Sequence, residues 1–151
     1  MQKISPFLWF DNNAEEAIAF YTSIFRNSRV TSLMPGPGGK TMGASFTLEG
    51  QEFMALNGGP MFKFTEAMSL YVNCESQEEV DHYWSRLGDG GTLQQCGWLK
   101  DKYGVSWQII PNALSRMLQD KDRVRAGRVM QAMMKMIKID IAALQKAYDG
   151  T

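Results

Sequence analysis

The sequence has few of the residues that most often hold metals or cross-link chains. It contains one histidine, His82, and two cysteines, Cys74 and Cys96. Two widely separated cysteines cannot supply a disulfide framework or a Cys-rich metal site, and we expect both to remain reduced thiols. His82 falls off the apolar stripe of its predicted helix, so we expect it at the surface.

The sequence also lacks net charge and long apolar runs. Sixteen basic and sixteen acidic residues leave a formal net charge of zero, without the positive excess typical of nucleic-acid-binding proteins. No apolar run approaches the roughly 18 residues of a membrane-spanning helix, and the N-terminus does not resemble a signal peptide. We therefore expect a soluble, cytoplasmic protein with no nucleic-acid partner and no membrane partner.

One segment occurs twice. The residues from Phe7 to Tyr21 form an aromatic strand followed by an amphipathic helix, and a degraded copy returns 63 positions later, from Leu70 to Trp84. The periodicity of apolar residues predicts a helix in each copy. Asn13 and Ser76 each precede their helix with a glutamate three positions on, which predicts a capping box in both.

Three more strands follow each helix, and the last two are joined by a hairpin at Gly50 or Gly104. The pattern predicts an α+β fold of paired βαβββ modules, at residues 4–58 and 67–110, within a domain spanning 1–111. Two such sheets with helices outside would enclose a cleft. Alternation along the strands turns Phe7, Trp9 and Phe53 towards the helices. It assigns the following side chains to the cleft: Leu8, Phe10, Met54, Ser69, Tyr71 and Gln108.

The segment 112–151 is predicted to be helical. Asn112, Asp120 or Asp122, and Asp140 are suited to cap three successive helices. One apolar face of the middle helix is predicted to comprise Ala126, Met130, Met133, Met134 and Ile137. Burial of five such side chains is worth on the order of 10 kcal/mol, so this extension must dock on its own domain or on a second subunit. We expect a homodimer.

Several motifs resemble one known family. The residues that carry the resemblance are Phe7–Asp11, Ala14–Ala17, Phe20–Tyr21, Tyr71–Cys74 and Asp101–Gln108. They resemble the PhnB-like branch of the vicinal oxygen chelate superfamily, some of whose members are labelled 3-demethylubiquinone-9 3-methyltransferase. The superfamily includes glyoxalase I, extradiol dioxygenases and the fosfomycin and bleomycin resistance proteins. The resemblance covers about residues 4–111 and implies the glyoxalase/bleomycin resistance fold, followed here by a C-terminal helical extension.

Enzymes of that superfamily usually hold one divalent metal through His, Glu or Gln on the first and last strands of each module. The repeat register places these positions at Pro6, Met54, Ser69 and Gln108. Proline offers no ligand atom and methionine suits only soft metals, so we expect no metal here. The glycine clusters do not join a strand to a following helix, so we expect no nucleotide-like cofactor for methyl transfer.

Three functions remain open. The first is a small-molecule binding protein or diverged enzyme of unknown substrate, with a metal-free, largely apolar cleft in which Gln108 orients a polar group of a small hydrophobic ligand. The second is a metal-dependent lyase or dioxygenase with ligands at Glu52, Asn57 or Glu66. The third is a structural homodimer whose cleft is filled by its own aromatics or by the C-terminal helices. The sequence indicates no acid, base or nucleophile, and it assigns no reaction.

Overall fold

Two strand–helix–three-strand units follow each other along the chain. The computed structural model describes residues 2–151. Its contacts divide the chain into one unit that ends at Phe64 and a second that comprises Thr65–Thr151. Each unit contains one four-stranded sheet. The predicted α+β fold, with its repeated module and C-terminal helices, is confirmed.

The first unit carries one helix on a mixed sheet. Its strands occur in the order β1-β4-β3-β2, with β1 parallel to β4 and the other pairs antiparallel. Ala17, Ile18 and Tyr21 are buried on the helix and form the apolar face that the periodicity predicts. The elements are β1 (Phe7–Phe10), α1 (Ala14–Ile24), β2 (Arg29–Pro35), β3 (Thr41–Leu48) and β4 (Gln51–Asn57).

The second unit repeats this arrangement, with strands in the order β5-β8-β7-β6. Its helix buries Val80, Tyr83, Trp84 and Leu87, the four residues that the apolar stripe predicts to face inward. The elements are β5 (Leu70–Cys74), α2 (Gln77–Gly88), β6 (Thr92–Leu93), β7 (Trp98–Lys100) and β8 (Ser106–Pro111).

The two copies differ in length where the first strand meets the helix. Leu8 pairs with Ala55 in the first sheet, and Val72 pairs with Ile109 in the second. The connection from β1 to α1 spans residues 11–13, whereas that from β5 to α2 spans only 75–76. The helices α1 and α2 therefore align at the 63-residue offset that the sequence repeat predicts. The strands β1 and β5 align at an offset that is one residue longer.

This difference corrects the alternation predicted for β1. Phe7 pairs with Met54 and shares its face, whereas Leu8 and Phe10 point to the opposite, core-forming face. Phe10 is only 2% exposed, and its ring lies 5.2 Å from that of Phe64. The prediction that Leu8 and Phe10 share a surface with Met54 is wrong, because pairing with β4 sets the face of β1.

The two helix caps also differ. Ser76 Oγ accepts a hydrogen bond from the backbone N–H of Glu79 at 3.2 Å, as predicted. Asn13 makes no capping bond with its side chain, and its backbone is not extended. Instead, the backbone N–H of Ala14 donates to Asn57 Oδ1 at 2.8 Å. The end of β4 therefore caps α1, a role that helix capping rules assign to the preceding residue.

Three helices complete the second unit: α3 (Asn112–Leu118), α4 (Arg123–Met134) and α5 (Ile141–Asp149). The Asp122 carboxylate accepts hydrogen bonds at the start of α4, and the Asp140 carboxylate does so at the start of α5, as the sequence predicts. No helix within residues 2–151 combines the length and apolar composition needed to cross a membrane.

The C-terminal helices share a buried cluster with the end of β8. Its members are Ile110, Leu114, Val129, Ile139 and Leu144. The predicted apolar face of α4 is wrong in part. Met130 is 41% exposed and Met134 is 59% exposed, because the helix turns Val129 inward instead and ends before Ile137 can continue the stripe.

Polar contacts fasten the extension to α2. The Gln77 side chain donates to the Ile139 carbonyl at 3.0 Å and accepts from the Ile141 N–H at 2.8 Å. Lys138 Nζ lies 2.7 Å from Asp81 Oδ1 in an ion pair. The C-terminal helices are therefore held by both apolar packing and directed hydrogen bonds within their own unit.

Candidate ligand pocket in the second unit

A buried aspartate fixes the hairpin between β7 and β8. Asp101 Oδ1 accepts hydrogen bonds from the N–H groups of Tyr103 (2.9 Å) and Val105 (3.0 Å), and Oδ2 accepts from Trp107 Nε1 (2.8 Å). Asp101 is 3% exposed. These hydrogen bonds offset the free-energy cost of removing the carboxylate from water. With Trp107 held on the core side, alternation turns Gln108 to the other face of β8.

The side chains of Tyr71, Trp98 and Gln108 lie next to one another on that other face. Tyr71 and Trp98 both pair with Gln108, on opposite sides of β8. Gln108 Nε2 donates a hydrogen bond to Ser69 Oγ at 3.0 Å. The structure thus brings together the predicted site residues of the second module, namely Ser69, Tyr71 and Gln108.

The C-terminal helices wall this face into a pocket with a volume of about 210 Å³. Leu114, Ser115 and Leu118 of α3 line one side, and Met133 of α4 lines another. Ser115 Oγ lies 3.4 Å from the Tyr71 hydroxyl, across the pocket rim. The pocket therefore combines a floor of sheet residues with walls of helix residues.

The pocket lining contains a thiol but no charged side chain among the residues that the structure describes. The thiol belongs to Cys96, which is free and half-buried. Cys74, the other free cysteine, is fully buried. Burial, aided by the negative charge of Glu79, raises the pKa of Cys74 to about 12. Chemical modification of Cys96 can therefore be used to probe the pocket.

Comparison with known proteins identifies the family. The family model described as 3-demethylubiquinone-9 3-methyltransferase matches residues 2–110. The chain belongs to this PhnB-type family. It is similar to a solved structure of the PhnB protein from Bacillus cereus, described as a putative 3-demethylubiquinone-9 3-methyltransferase. The identity is 42% and the TM-score 0.69, over 73% of this chain and 99% of that one. No curated protein matches.

More distant structures share the fold alone. Protein PA1353 from Pseudomonas aeruginosa is 22% identical, with a TM-score of 0.63, over 74% of this PhnB-type chain and 98% of its own. The fosfomycin resistance protein FosX from Listeria monocytogenes, solved with Mn(II) and sulfate, is 18% identical, with a TM-score of 0.54, over 71% and 89%. Together with the family match and the 42% identical structure, the shared fold supports the placement in the vicinal oxygen chelate superfamily that the sequence motifs imply.

The residues of this PhnB-type protein do not fit the divalent metal that the superfamily implies. Within residues 2–151, no group of three or more His, Cys, Asp or Glu side chains is placed to hold a metal ion. Glu66 is occupied by an ion pair with Lys100, which lowers the pKa of that carboxyl. Asn57 Oδ1 caps α1. A metal-dependent lyase or dioxygenase is therefore not favoured.

One buried hydroxyl lacks a partner on the Gln108 face. Ser106 is two residues before Gln108 on β8 and is 1% exposed. Its Oγ makes no hydrogen bond to any residue in the range 2–151. A buried hydroxyl without a partner costs roughly 1–3 kcal/mol, unless a water molecule or another group occupies the space beside it.

Sequence reasoning missed several lining residues. Trp98 could be found from the sequence as the hairpin neighbour of Gln108. Cys96 precedes Gly97, and both have a left-handed backbone, with φ values of 62° and 82°. No signal in the sequence places α3 and α4 over this face, because that contact depends on packing between distant segments.

Proposed function

We propose that this PhnB-type protein is a small-molecule binding protein, or a diverged enzyme of unknown substrate, that binds a neutral, largely apolar ligand in the pocket on the Gln108 face. One observation carries the proposal: the described residues that line the pocket are mostly aromatic and apolar, carry no charge, and include one oriented amide, that of Gln108. Such a combination is typical of ligand sites, where apolar area supplies affinity and a few polar groups fix orientation.

The chemistry of the lining supports binding more than catalysis. Among residues 2–151, no carboxylate, imidazole or amine lines the pocket. A ligand that buries about 150 Å² of apolar surface gains roughly 4 kcal/mol, which corresponds to a dissociation constant on the order of 1 mM. A weak-binding assay is therefore the appropriate measurement.

Fluorine NMR with para-fluorophenol tests this proposal. We expect the fluorine line of the probe to broaden in the presence of the protein. Alkylation of the protein with N-ethylmaleimide should abolish the broadening, because the adduct on Cys96 fills the pocket. The matched control is the Cys96→Ser variant, which should broaden the line both before and after the same treatment, because Cys74 is buried.

Two outcomes would contradict the proposal. An unchanged fluorine line at millimolar probe would show that the pocket does not take a neutral ring. Equal broadening by the alkylated and untreated wild-type protein, with mass spectrometry showing modification of Cys96, would place the ligand elsewhere.

We also infer that the protein acts as a cytoplasmic homodimer without a nucleic-acid partner. Support comes from exposed apolar residues on one face of the first sheet, where Phe7 and Met34 are each 54% exposed and Met54 is 38% exposed. The free thiols suit a reducing compartment, and the zero net charge suits the absence of a polyanion partner.

Light scattering and cell fractionation test these statements. A homodimer has twice the 17.0 kDa mass of the chain, so a 17.0 kDa particle at micromolar concentration would exclude it. Recovery of the protein outside the cytoplasmic fraction would contradict the localisation. Met54 stays a proposed ligand contact of the first unit.

A further inference from the structure

Building on the proposed function, we propose that α3 and α4 make the pocket selective for a single neutral ring that carries a hydrogen-bond donor. The helices would set the size limit, and the Gln108 amide would set the polarity of the ligand. The C-terminal extension would then be a specificity element and not only a stabilising one.

The helical wall lies outside the part of the chain that matches the family. The family model ends at residue 110, whereas Leu114, Leu118 and Met133 all come later. The wall is also firmly held. Leu114 is 3% exposed and belongs to the buried cluster that includes Val129. A wall anchored in this way keeps its shape when a ligand enters, so it can exclude ligands by size.

The volume of the pocket limits what can enter. Pockets that hold drug-sized molecules measure roughly 300–1,000 Å³. The pocket here measures about 210 Å³, below that range. Its volume suits one ring with a small substituent, and we expect a fused ring system to fit fully only if the Met133 side chain is displaced.

The polar groups select the kind of substituent. Gln108 Nε2 already donates to Ser69 Oγ at 3.0 Å, so Gln108 Oε1 remains to accept a hydrogen bond. A ligand hydroxyl or N–H can donate to this oxygen, whereas an ether oxygen cannot. A ligand carboxylate would lose its hydration without meeting a cation, because the lining residues that the structure describes include none.

Three matched probes test the polarity of the site. They are para-fluorophenol, para-fluoroanisole and para-fluorobenzoate, compared by fluorine NMR titration of the wild-type protein. We expect the phenol to bind about tenfold or more tightly than either of the others, as the loss of one buried hydrogen bond predicts. Equal affinities for the phenol and the anisole would overturn the role of Gln108.

Trimming the wall tests the size limit. Met133→Ala should increase the affinity for a fluorinated naphthol about tenfold relative to wild type. Met134→Ala is the matched control, because Met134 is on the same helix but is 59% exposed and outside the lining. Leu118→Val trims the other wall and covers the case in which Met133→Ala does not fold.

The outcomes separate this inference from the proposed function. If the wild-type protein binds none of the probes, the proposed function fails and the inference falls with it. If the wild-type protein binds the probes, but Met133→Ala and Leu118→Val take the naphthol no better than Met134→Ala does, only the selectivity of the helical wall is refuted.

Discussion

Asp101→Asn should destabilise the protein, although it changes the size of the side chain very little. In the wild-type protein one carboxylate oxygen accepts from two backbone N–H groups and the other accepts from Trp107 Nε1 at 2.8 Å. An asparagine has a single acceptor oxygen. If that oxygen serves the backbone, the amide NH₂ faces the indole N–H, and two donors meet in a buried site.

The magnitude follows from these contacts. A hydrogen bond to a charged acceptor contributes roughly 1.5–3 kcal/mol, and a buried donor without an acceptor costs about 1–3 kcal/mol. These terms overlap, so we expect Asp101→Asn to lower the free energy of unfolding by about 3 kcal/mol. A domain with a typical stability of roughly 5–15 kcal/mol would remain folded.

A double-mutant cycle with Trp107→Phe isolates the contact. Urea unfolding, followed by far-ultraviolet circular dichroism, gives the free energy of unfolding of the wild type, both single variants and the double variant. Trp107→Phe removes the indole donor. It should therefore lower the free energy of unfolding by about 1–3 kcal/mol less in the Asp101→Asn background than in the wild type. Additivity within about 0.5 kcal/mol would refute this account of the hairpin.

Two further predictions concern buried polar groups. Burial raises the pKa of Cys74 from the ordinary 9.0 to about 12, so above about pH 9 the unfolded thiol ionises while the folded one stays protonated. The free energy of unfolding should fall as the pH rises from about 9 to 12, and urea unfolding of Cys74→Ala should show a smaller fall. Ser106→Ala removes a hydroxyl that has no partner among residues 2–151, and should raise the free energy of unfolding by about 1–3 kcal/mol. A clear loss of stability would instead reveal a water molecule or ligand group bound to Ser106.

Local periodicity predicted the helices well where the chain packs on one side only. The apolar stripe in α2 predicted all four residues that the helix buries. Residues three and four positions apart share one face of a helix, independently of the rest of the chain. The same reasoning failed in part for α4. There the pattern assumed a helix reaching Ile137, and the helix ends at Met134.

Strand faces were predictable only where the register was known. The alternation predicted for β8 turned Trp107 and Gln108 to opposite faces, as observed. In β1 the sequence repeat suggested the wrong register, because the second copy lacks one residue before its helix. A shift of one residue turns every side chain of a strand to the other face. Leu8 and Phe10 therefore lie on the face predicted for Phe7, and Phe7 lies on the face predicted for them.

The sequence by itself determined the doubled module, the helical extension, the neutral charge and the scarcity of metal ligands, since each follows from residue types and short-range spacing. Only the tertiary structure decided that Asn57 caps α1, that Phe10 is buried, and that α3 and α4 close a pocket over Gln108. These features depend on contacts between residues far apart in the chain, where small shifts in register or helix length change which atoms meet.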